Sequence, residues 1–336
     1  MDRNVILDVK NLSTTFHTER GDYQAISGVS FQIRKGEIVG IVGESGCGKS
    51  VTSQSILRLY DEHREARHSG EVLFENDDLL KLSQKEMERR RGSDIAMIFQ
   101  DALSTLNPVL TIGYQLREPM RIHNKGMSKK EATEKAIHQV CPPAERLPIV
   151  VNMIEQVGLR PEHLFRYPHE FSGGQRQRIG LARALLLHPE LVICDEPVSA
   201  LDVSIQSQIL NLLLDLQQQG NHSYLFIAHD ISVVKHISDR IGVMYLGHLM
   251  EEAETQELFQ NTLHPYTKAL LSAVPTIEKQ TKKREILQGE LPSPIHAPSG
   301  CVFRTRCPYA TAACAEALPE WKEIAPGHKV ACHLYD

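Results

Sequence analysis

Gly43-Glu44-Ser45-Gly46-Cys47-Gly48-Lys49-Ser50 fits G-x-x-x-x-G-K-[ST], a pattern whose chemistry is phosphate binding. Glycines let the backbone aim successive N–H groups inward, and the N-terminus of the following helix adds a favourable partial charge. Lys49 would reach the β- and γ-phosphates of a nucleotide, and the Ser50 hydroxyl would serve Mg²⁺, with Val51 opening the helix behind them. Gly-rich turns are common by themselves. Here an apolar run (Ile38, Val39, Ile41, Val42) precedes the loop and a helix-like stretch (Val51 to Leu59) follows, which is the setting the motif requires. Farther along, Leu191-Val192-Ile193-Cys194-Asp195-Glu196 reads as a buried strand ending in two carboxylates. Asp195 can hold Mg²⁺ through water while Glu196 polarises the water that attacks the γ-phosphate. The plainer reading of Glu196 is a solvated residue at a strand end, but a strand in a parallel sheet delivers its last side chains to the ligand edge.

The elements that must position these groups follow from periodicity. Short β-like runs at Ile6 to Val9, Val29 to Ile33 and Glu71 to Phe74 surround the phosphate loop and suggest an antiparallel part joined to an α/β core. From about Thr111 to Leu187 the pattern is helical, clearest at Lys129 to Gln139 and Asn152 to Val157. Three prolines within Cys141 to Pro148 predict a loop between those pieces. Then helix Gln175 to Leu187, strand Leu191 to Cys194, helix Val203 to Gln219, strand Tyr224 to Ala228, helix Ile231 to Ile237 and strand Arg240 to Tyr245 alternate, as in a mostly parallel sheet. No internal repeat is visible.

Phe171-Ser172-Gly173-Gly174-Gln175, ahead of a helix, is the loop through which the chain resembles the ATP-binding cassette (ABC) superfamily. The family's usual first residue there is leucine, so Phe171 is a departure that leaves Ser-Gly-Gly intact. The resemblance implies an α/β P-loop ATPase with an antiparallel β subdomain, a helical subdomain at about 111–187, and a small cysteine-bearing tail. It also implies that Ser172, Gly173, Gly174 and Gln175 meet the γ-phosphate held by an opposite subunit, so that a dimer completes the site. By the same resemblance Gln100, after Ile95 to Phe99, contacts Mg²⁺ and couples to a membrane partner. Asp202, in Ser199-Ala200-Leu201-Asp202, crosses the dimer interface, and His229 contacts the γ-phosphate. A histidine after a strand is by itself more often a capping or core residue. Phe16 resembles the aromatic on which adenine stacks, with Tyr23 a rival and core packing an alternative for both.

The 336 residues carry 37 basic and 42 acidic side chains, a net charge of −5 that is too mild to imply a nucleic acid or an anionic surface. No apolar stretch approaches the ~20 residues that span a bilayer, and Met1-Asp2-Arg3-Asn4 lacks a signal-peptide pattern, so membrane association is expected through partners. Arg89-Arg90-Arg91 reads as a solvated helix end without a ligand.

The C-terminal segment narrows the resemblance. His264-Pro265-Tyr266-Thr267-Lys268-Ala269-Leu270-Leu271, then Gly289-Glu290-Leu291-Pro292-Ser293-Pro294 and Gly300-Cys301-Val302-Phe303-Arg304-Thr305-Arg306-Cys307-Pro308, resemble the tail of oligopeptide and dipeptide importer ATP-binding subunits. That divides the chain into an ATPase domain, 1–274, and a tail region, 275–336. It implies an ATP-hydrolysing subunit that energises peptide import from the cytoplasmic face of the cell's inner membrane. The implied partners are a second ATPase subunit, identical or a paralogue, two membrane permeases and, indirectly, a peptide-binding protein, with no nucleic acid. The alternatives are a metal or sugar importer cassette, or a DNA-repair ATPase, which would need a coiled-coil or zinc-bearing insertion and a basic face that are not seen. Of seven cysteines, Cys301, Cys307, Cys314 and Cys332 cluster at the end, with five, six and 17 residues between them. Thiols so grouped favour metal over disulfides in a reducing compartment. The intervals lack paired C-x-x-C, Cys-Pro resembles iron–sulfur runs, and related importer subunits carry a [4Fe–4S] cluster, with zinc the alternative. Cys47, Cys141 and Cys194 read as ordinary small residues, with Cys47 placed where alkylation would block ATP.

Overall fold

The computed structural model describes residues 4–19, 21–61, 65–101, 105–123, 148–273, 289 and 291–336. The chain packs as two compact units, Met1–Leu82 with Leu225–Asp336, and Ser83–Tyr224.

In the first unit an antiparallel sheet runs in the order Tyr23–Arg34, Val5–Phe16, Ala66–Phe74, Asp77–Asp78. The expected apolar runs lie inside these strands, which extend well beyond them. The added lengths (Ser13, Thr14 and Thr15 against Arg67, His68 and Ser69) carry polar side chains held by cross-strand pairing, which hydropathy alone does not register. Ile38–Val42 is buried at all five positions and pairs in parallel with Arg240–Tyr245, Val39 opposite Arg240 and Val42 opposite Val243. An unbroken apolar strand of this kind is what a sheet covered on both faces requires. Arg240–Tyr245 turns back antiparallel into His248–Glu254, which then receives His328–Ala331, and that strand in turn pairs with Trp321–Ala325. The tail thus adds a hairpin to the sheet, an element that the hydropathy pattern does not announce.

In the second unit Ile95–Ile98 runs parallel to Leu191–Asp195, with Ile95 opposite Leu191 and Ile98 opposite Cys194. Helices Gln84–Arg90, Ile112–His123, Pro148–Gln156, Gly173–Leu185 and Val203–Gly220 accompany them. Ser83 and Glu86 form a reciprocal cap on the first, and the arginine cluster sits at that helix's end, with Arg90 bonded to Asp94 at 3.1 Å. Pro148, expected in a loop, instead opens a helix, where its missing N–H costs nothing. Lys129 to Gln139 and Cys141 to Leu147 lie outside the described residues. Among the described residues no helix is long and apolar enough to cross a membrane.

Candidate functional site

The phosphate loop leaves the buried strand Ile38–Val42 and enters helix Lys49–Ile56 through Gly48, whose φ of 105° lies in the left-handed region. A Cβ on Gly48 would meet Ala25 O and Met244 Cε, each at 3.0 Å, so both conformation and space require glycine there. Gly48 is the N-cap of this helix and makes no side-chain cap bond. Gly43 lies so close to Met244 O that a side chain would collide with it. Lys49 is buried, and its ammonium donates to the carbonyls of Gly43 at 2.8 Å and Glu44 at 3.0 Å. Ser45 and Gly46 form the exposed lip, with Ser50 and Val51 half-buried behind it. Cys47 is 1% exposed, and burial raises its thiol above the ordinary range. That accords with an ordinary small residue, and a buried thiol of this kind is a poor target for alkylation.

Phe16 and Tyr23 are cross-strand partners in the same unit. Their rings stack at 5.5 Å, and Phe16 also meets Tyr60 edge-on at 4.8 Å. The two candidates for base stacking thus belong to one aromatic group, and Tyr60 is a third member that its sequence position after the loop helix did not reveal. His229 is exposed just beyond the buried strand Ser223–Ala228.

The second unit holds the acidic pair and the signature loop. Asp195 is the last residue of the buried strand Leu191–Asp195, 4% exposed. Glu196 follows at φ 47°, a left-handed conformation unusual for a residue with a side chain. Gln100 Nε2 donates to Glu196 Oε2 at 3.0 Å and to Ser199 Oγ at 3.4 Å, and Ser199 Oγ donates to Glu196 O at 3.1 Å. Gln100 is thereby brought to Glu196 and Ser199, 96 and 99 positions along the chain. Ser172 caps helix Gly173–Leu185 through a reciprocal box, Ser172 N–H donating to Gln175 Oε1 at 3.0 Å and Gln175 N–H to Ser172 Oγ at 3.4 Å. Phe171, the departure from leucine, is buried edge-on against His163 at 5.4 Å. A Cβ on Gly174 would meet Ile205 Cγ2 at 2.7 Å, whereas one on Gly173 would find Leu201 Cδ2 at an ordinary 3.7 Å. Asp202 is exposed at the N-terminus of Val203–Gly220.

In the tail, Cys301 and Cys314 are buried and Cys307 and Cys332 half-buried. The Cys301 N–H donates to Cys314 O at 2.8 Å. Burial, reinforced by the other three thiols, pushes Cys332 up to about 11. At Cys314 burial acts in the same direction, but hydrogen bonds from the Thr311 hydroxyl and N–H outweigh it and lower the thiol. Among the described residues, no three His, Cys, Asp or Glu side chains stand close enough to hold one metal ion.

Two residues absent from the sequence-based site touch the phosphate loop. Glu44 N–H donates to the Tyr266 hydroxyl at 3.0 Å, and Arg306 Nη1 donates to Glu44 Oε2 at 2.8 Å. The segments carrying them were singled out only for their likeness to a family tail.

Comparison with known proteins accords with this geometry. Residues 26–199 match the ABC transporter family, and residues 250–314 match the oligopeptide/dipeptide transporter C-terminal region. The oligopeptide transport ATP-binding protein AppF of Bacillus subtilis is 51% identical over 326 residues, covering 96% of this chain and 93% of its own. The oligopeptide transport ATP-binding protein OppF of Salmonella typhimurium is 47% identical over 346 residues, covering 99% and 97%. Among solved structures, the dimeric post-hydrolysis state of the ATP-binding cassette MJ0796, bound to ADP and Pi, aligns with a TM-score of 0.60 at 27% identity, covering 74% of this chain and 98% of that one.

Proposed function

The chain belongs to the ABC transporter family, in its oligopeptide/dipeptide branch, and we propose that the residues described above are its ATP machinery. It binds and hydrolyses ATP to energise peptide import. The observation that carries the catalytic assignment is the Gln100–Glu196 contact of 3.0 Å at the end of a buried strand. Gly43 to Val51 cradle the phosphates, with Lys49 on the β- and γ-oxygens. Ser50, Gln100 and Asp195 serve Mg²⁺, a hard ion that prefers such oxygen donors. Glu196 polarises the attacking water, and His229 steadies the γ-phosphate. Phe16 holds the base, and Ser172 to Gln175 with Asp202 serve the opposing subunit. The test is Glu196→Gln in the assembled transporter. This variant keeps the side chain's size and removes its charge, so ATP should bind and stay, and near-normal turnover would overturn the assignment.

The working unit is a pair of cassettes, this chain with itself or a paralogue, on two permeases at the cytoplasmic face of the membrane, fed by a peptide-binding protein. The ATPase domain spans 1–274, with its helical part at about 111–187, and the tail spans 275–336. A metal or sugar importer would share the nucleotide motifs, but the match at 250–314 favours peptides.

For the tail the reading is a [4Fe–4S] cluster on Cys301, Cys307, Cys314 and Cys332. Such a cluster takes one thiolate per iron at four separate corners, so its cysteines need not converge on one point. What supports the reading is the grouping of the four cysteines in the tail, with Cys301 and Cys314 buried, Cys307 and Cys332 half-buried, and the Cys301 N–H bonded to Cys314 O at 2.8 Å. When bound, the cluster would supply cross-linking of a small segment and not ATP chemistry. Anaerobic purification followed by iron and sulfide analysis should give about four of each per chain. Stoichiometric zinc, or no metal at all, would overturn it.

A further inference from the structure

Glu44 is the one acidic residue of the phosphate loop, and each of its polar groups is held. Its N–H donates to the Tyr266 hydroxyl at 3.0 Å, its carbonyl accepts from Lys49 Nζ at 3.0 Å, and its carboxylate accepts from Arg306 Nη1 at 2.8 Å. Tyr266 belongs to helix Pro265–Ser272, and Arg306 to the tail, 262 residues along the chain from Glu44. The Arg306 side chain is only 7% exposed, so its charge has left water and Glu44 compensates it.

The setting of Arg306 is rigid. Tight turns link Arg304 N–H to Cys301 O at 3.0 Å and Arg306 N–H to Phe303 O at 3.0 Å. Phe303, fully buried, packs on Tyr245 at 5.2 Å and Tyr266 at 5.4 Å, and Tyr245 meets Tyr266 at 4.7 Å. Tyr245 follows Met244, whose carbonyl abuts Gly43. A carboxylate beside incoming phosphates is a liability, since like charges repel. A neutralised and pinned carboxylate instead fixes the carbonyl on which Lys49 rests.

We propose that Arg306 is a positioning residue of the ATP site, acting through Glu44. It cancels the loop's own negative charge and, with Tyr266, holds the loop in the form that receives phosphate. The proposal rests on the phosphate loop being the ATP site.

The experiment is equilibrium binding of Mg-ATP to the full-length chain and to Arg306→Met, Arg306→Lys, Glu44→Gln and the double variant Glu44→Gln/Arg306→Met. Arg306→Met should weaken binding about tenfold, as expected for a directly coupled pair. Arg306→Lys should recover most of that loss, because it restores the charge. In the Glu44→Gln background, Arg306→Met should change affinity less than about twofold, for no carboxylate is left to strand. Unchanged binding by Arg306→Met, or the same loss in both backgrounds, overturns the proposal, because a purely structural role for Arg306 would ignore residue 44. Should Arg306→Met fail to fold, the double variant decides. Recovery of folding and ATP binding on loss of the Glu44 charge upholds the coupling, and failure of both assigns Arg306 to the tail's own fold and overturns it. A wild-type chain that binds no ATP would refute the ATP-site reading itself, a result separate from any of these.

Discussion

Glu196 shows how one residue's backbone serves its side chain. A left-handed φ of 47° costs a residue with a Cβ on the order of 1–3 kcal/mol, and such strain persists only where the surroundings over-determine it. Here the Ser199 hydroxyl and N–H hold the Glu196 carbonyl at 3.1 and 3.3 Å while Gln100 holds its carboxylate. Glu196→Gln keeps the side chain's size and removes the negative charge that, in the proposed role, acts on the attacking water. Turnover should therefore fall by about 10²-fold or more with little change in ATP affinity, read by steady-state hydrolysis and by nucleotide binding. Sequence reasoning placed this residue at the end of a buried strand because the apolar run Leu191 to Cys194 stops at Asp-Glu, and the structure has it there. Cys47, read as an ordinary small residue, is packed away beneath the loop, because a motif gives proximity to phosphate but not exposure. Arg306 and Tyr266 were illegible as site residues because nothing local links them to Glu44; only the tertiary fold does.

At the scale of elements, the core strands were legible because burial on both faces writes an unbroken apolar run. Ile38–Val42 and Arg240–Tyr245 fall where periodicity puts them. The tail hairpin was not, since Trp321–Ala325 and His328–Ala331 are short, partly exposed and mixed in polarity. What fixes that hairpin includes a buried polar cluster. Glu251, fully buried, accepts the N–H groups of Leu263 and His264 at 2.7 and 2.9 Å and pairs with His328 Nε2 at 2.8 Å, while His328 Nδ1 faces Glu257 at 3.3 Å. Burial works against charge on His328, but the bonds to Glu251 and Glu257 outweigh it and raise the imidazole above its ordinary 6.5. A histidine with a raised folded value gives its full stabilisation below 6.5 and loses it as pH climbs through the raised value. Nearby His264, driven by burial down to about 4, works in the opposite sense and is common to wild type and variant. Thermal melting of the wild type and His328→Gln across about pH 5.5 to 9 isolates the effect. The variant should melt lower by about 2–4 °C for each kcal/mol lost, with the gap widest in acid and narrowing towards alkali. A gap independent of pH would remove His328 from the charged role.

At the scale of the whole molecule, the motifs fall in both compact units. The phosphate loop and His229 belong to one compact unit, and Asp195, Glu196, Gln100 and the signature loop to the other. The order of motifs along the chain was enough to identify the family. That the tail joins the phosphate-loop unit was beyond its reach, because pairing of His328–Ala331 with His248–Glu254 spans about eighty residues with no periodic signal between. The signature loop offers the sharpest test of assembly, and the glycines distinguish which substitution to make. Gly174 has no room for a side chain, so its loss would damage the helix packing itself. Gly173 has room, begins helix Gly173–Leu185 and is exposed. An aspartate there suits a helix N-terminus, where a negative charge interacts favourably with the macrodipole, so Gly173→Asp should fold. It would also set a carboxylate where the partner cassette's γ-phosphate has to dock. The isolated variant should bind Mg-ATP within about twofold of wild type, while the assembled transporter loses turnover by about 10²-fold or more, because an anionic group is added beside the helix-terminus N–H donors proposed to meet the opposing phosphate. If the isolated variant, still folded by thermal melting, no longer binds ATP, the signature loop acts on its own chain's nucleotide and the two-cassette site is wrong.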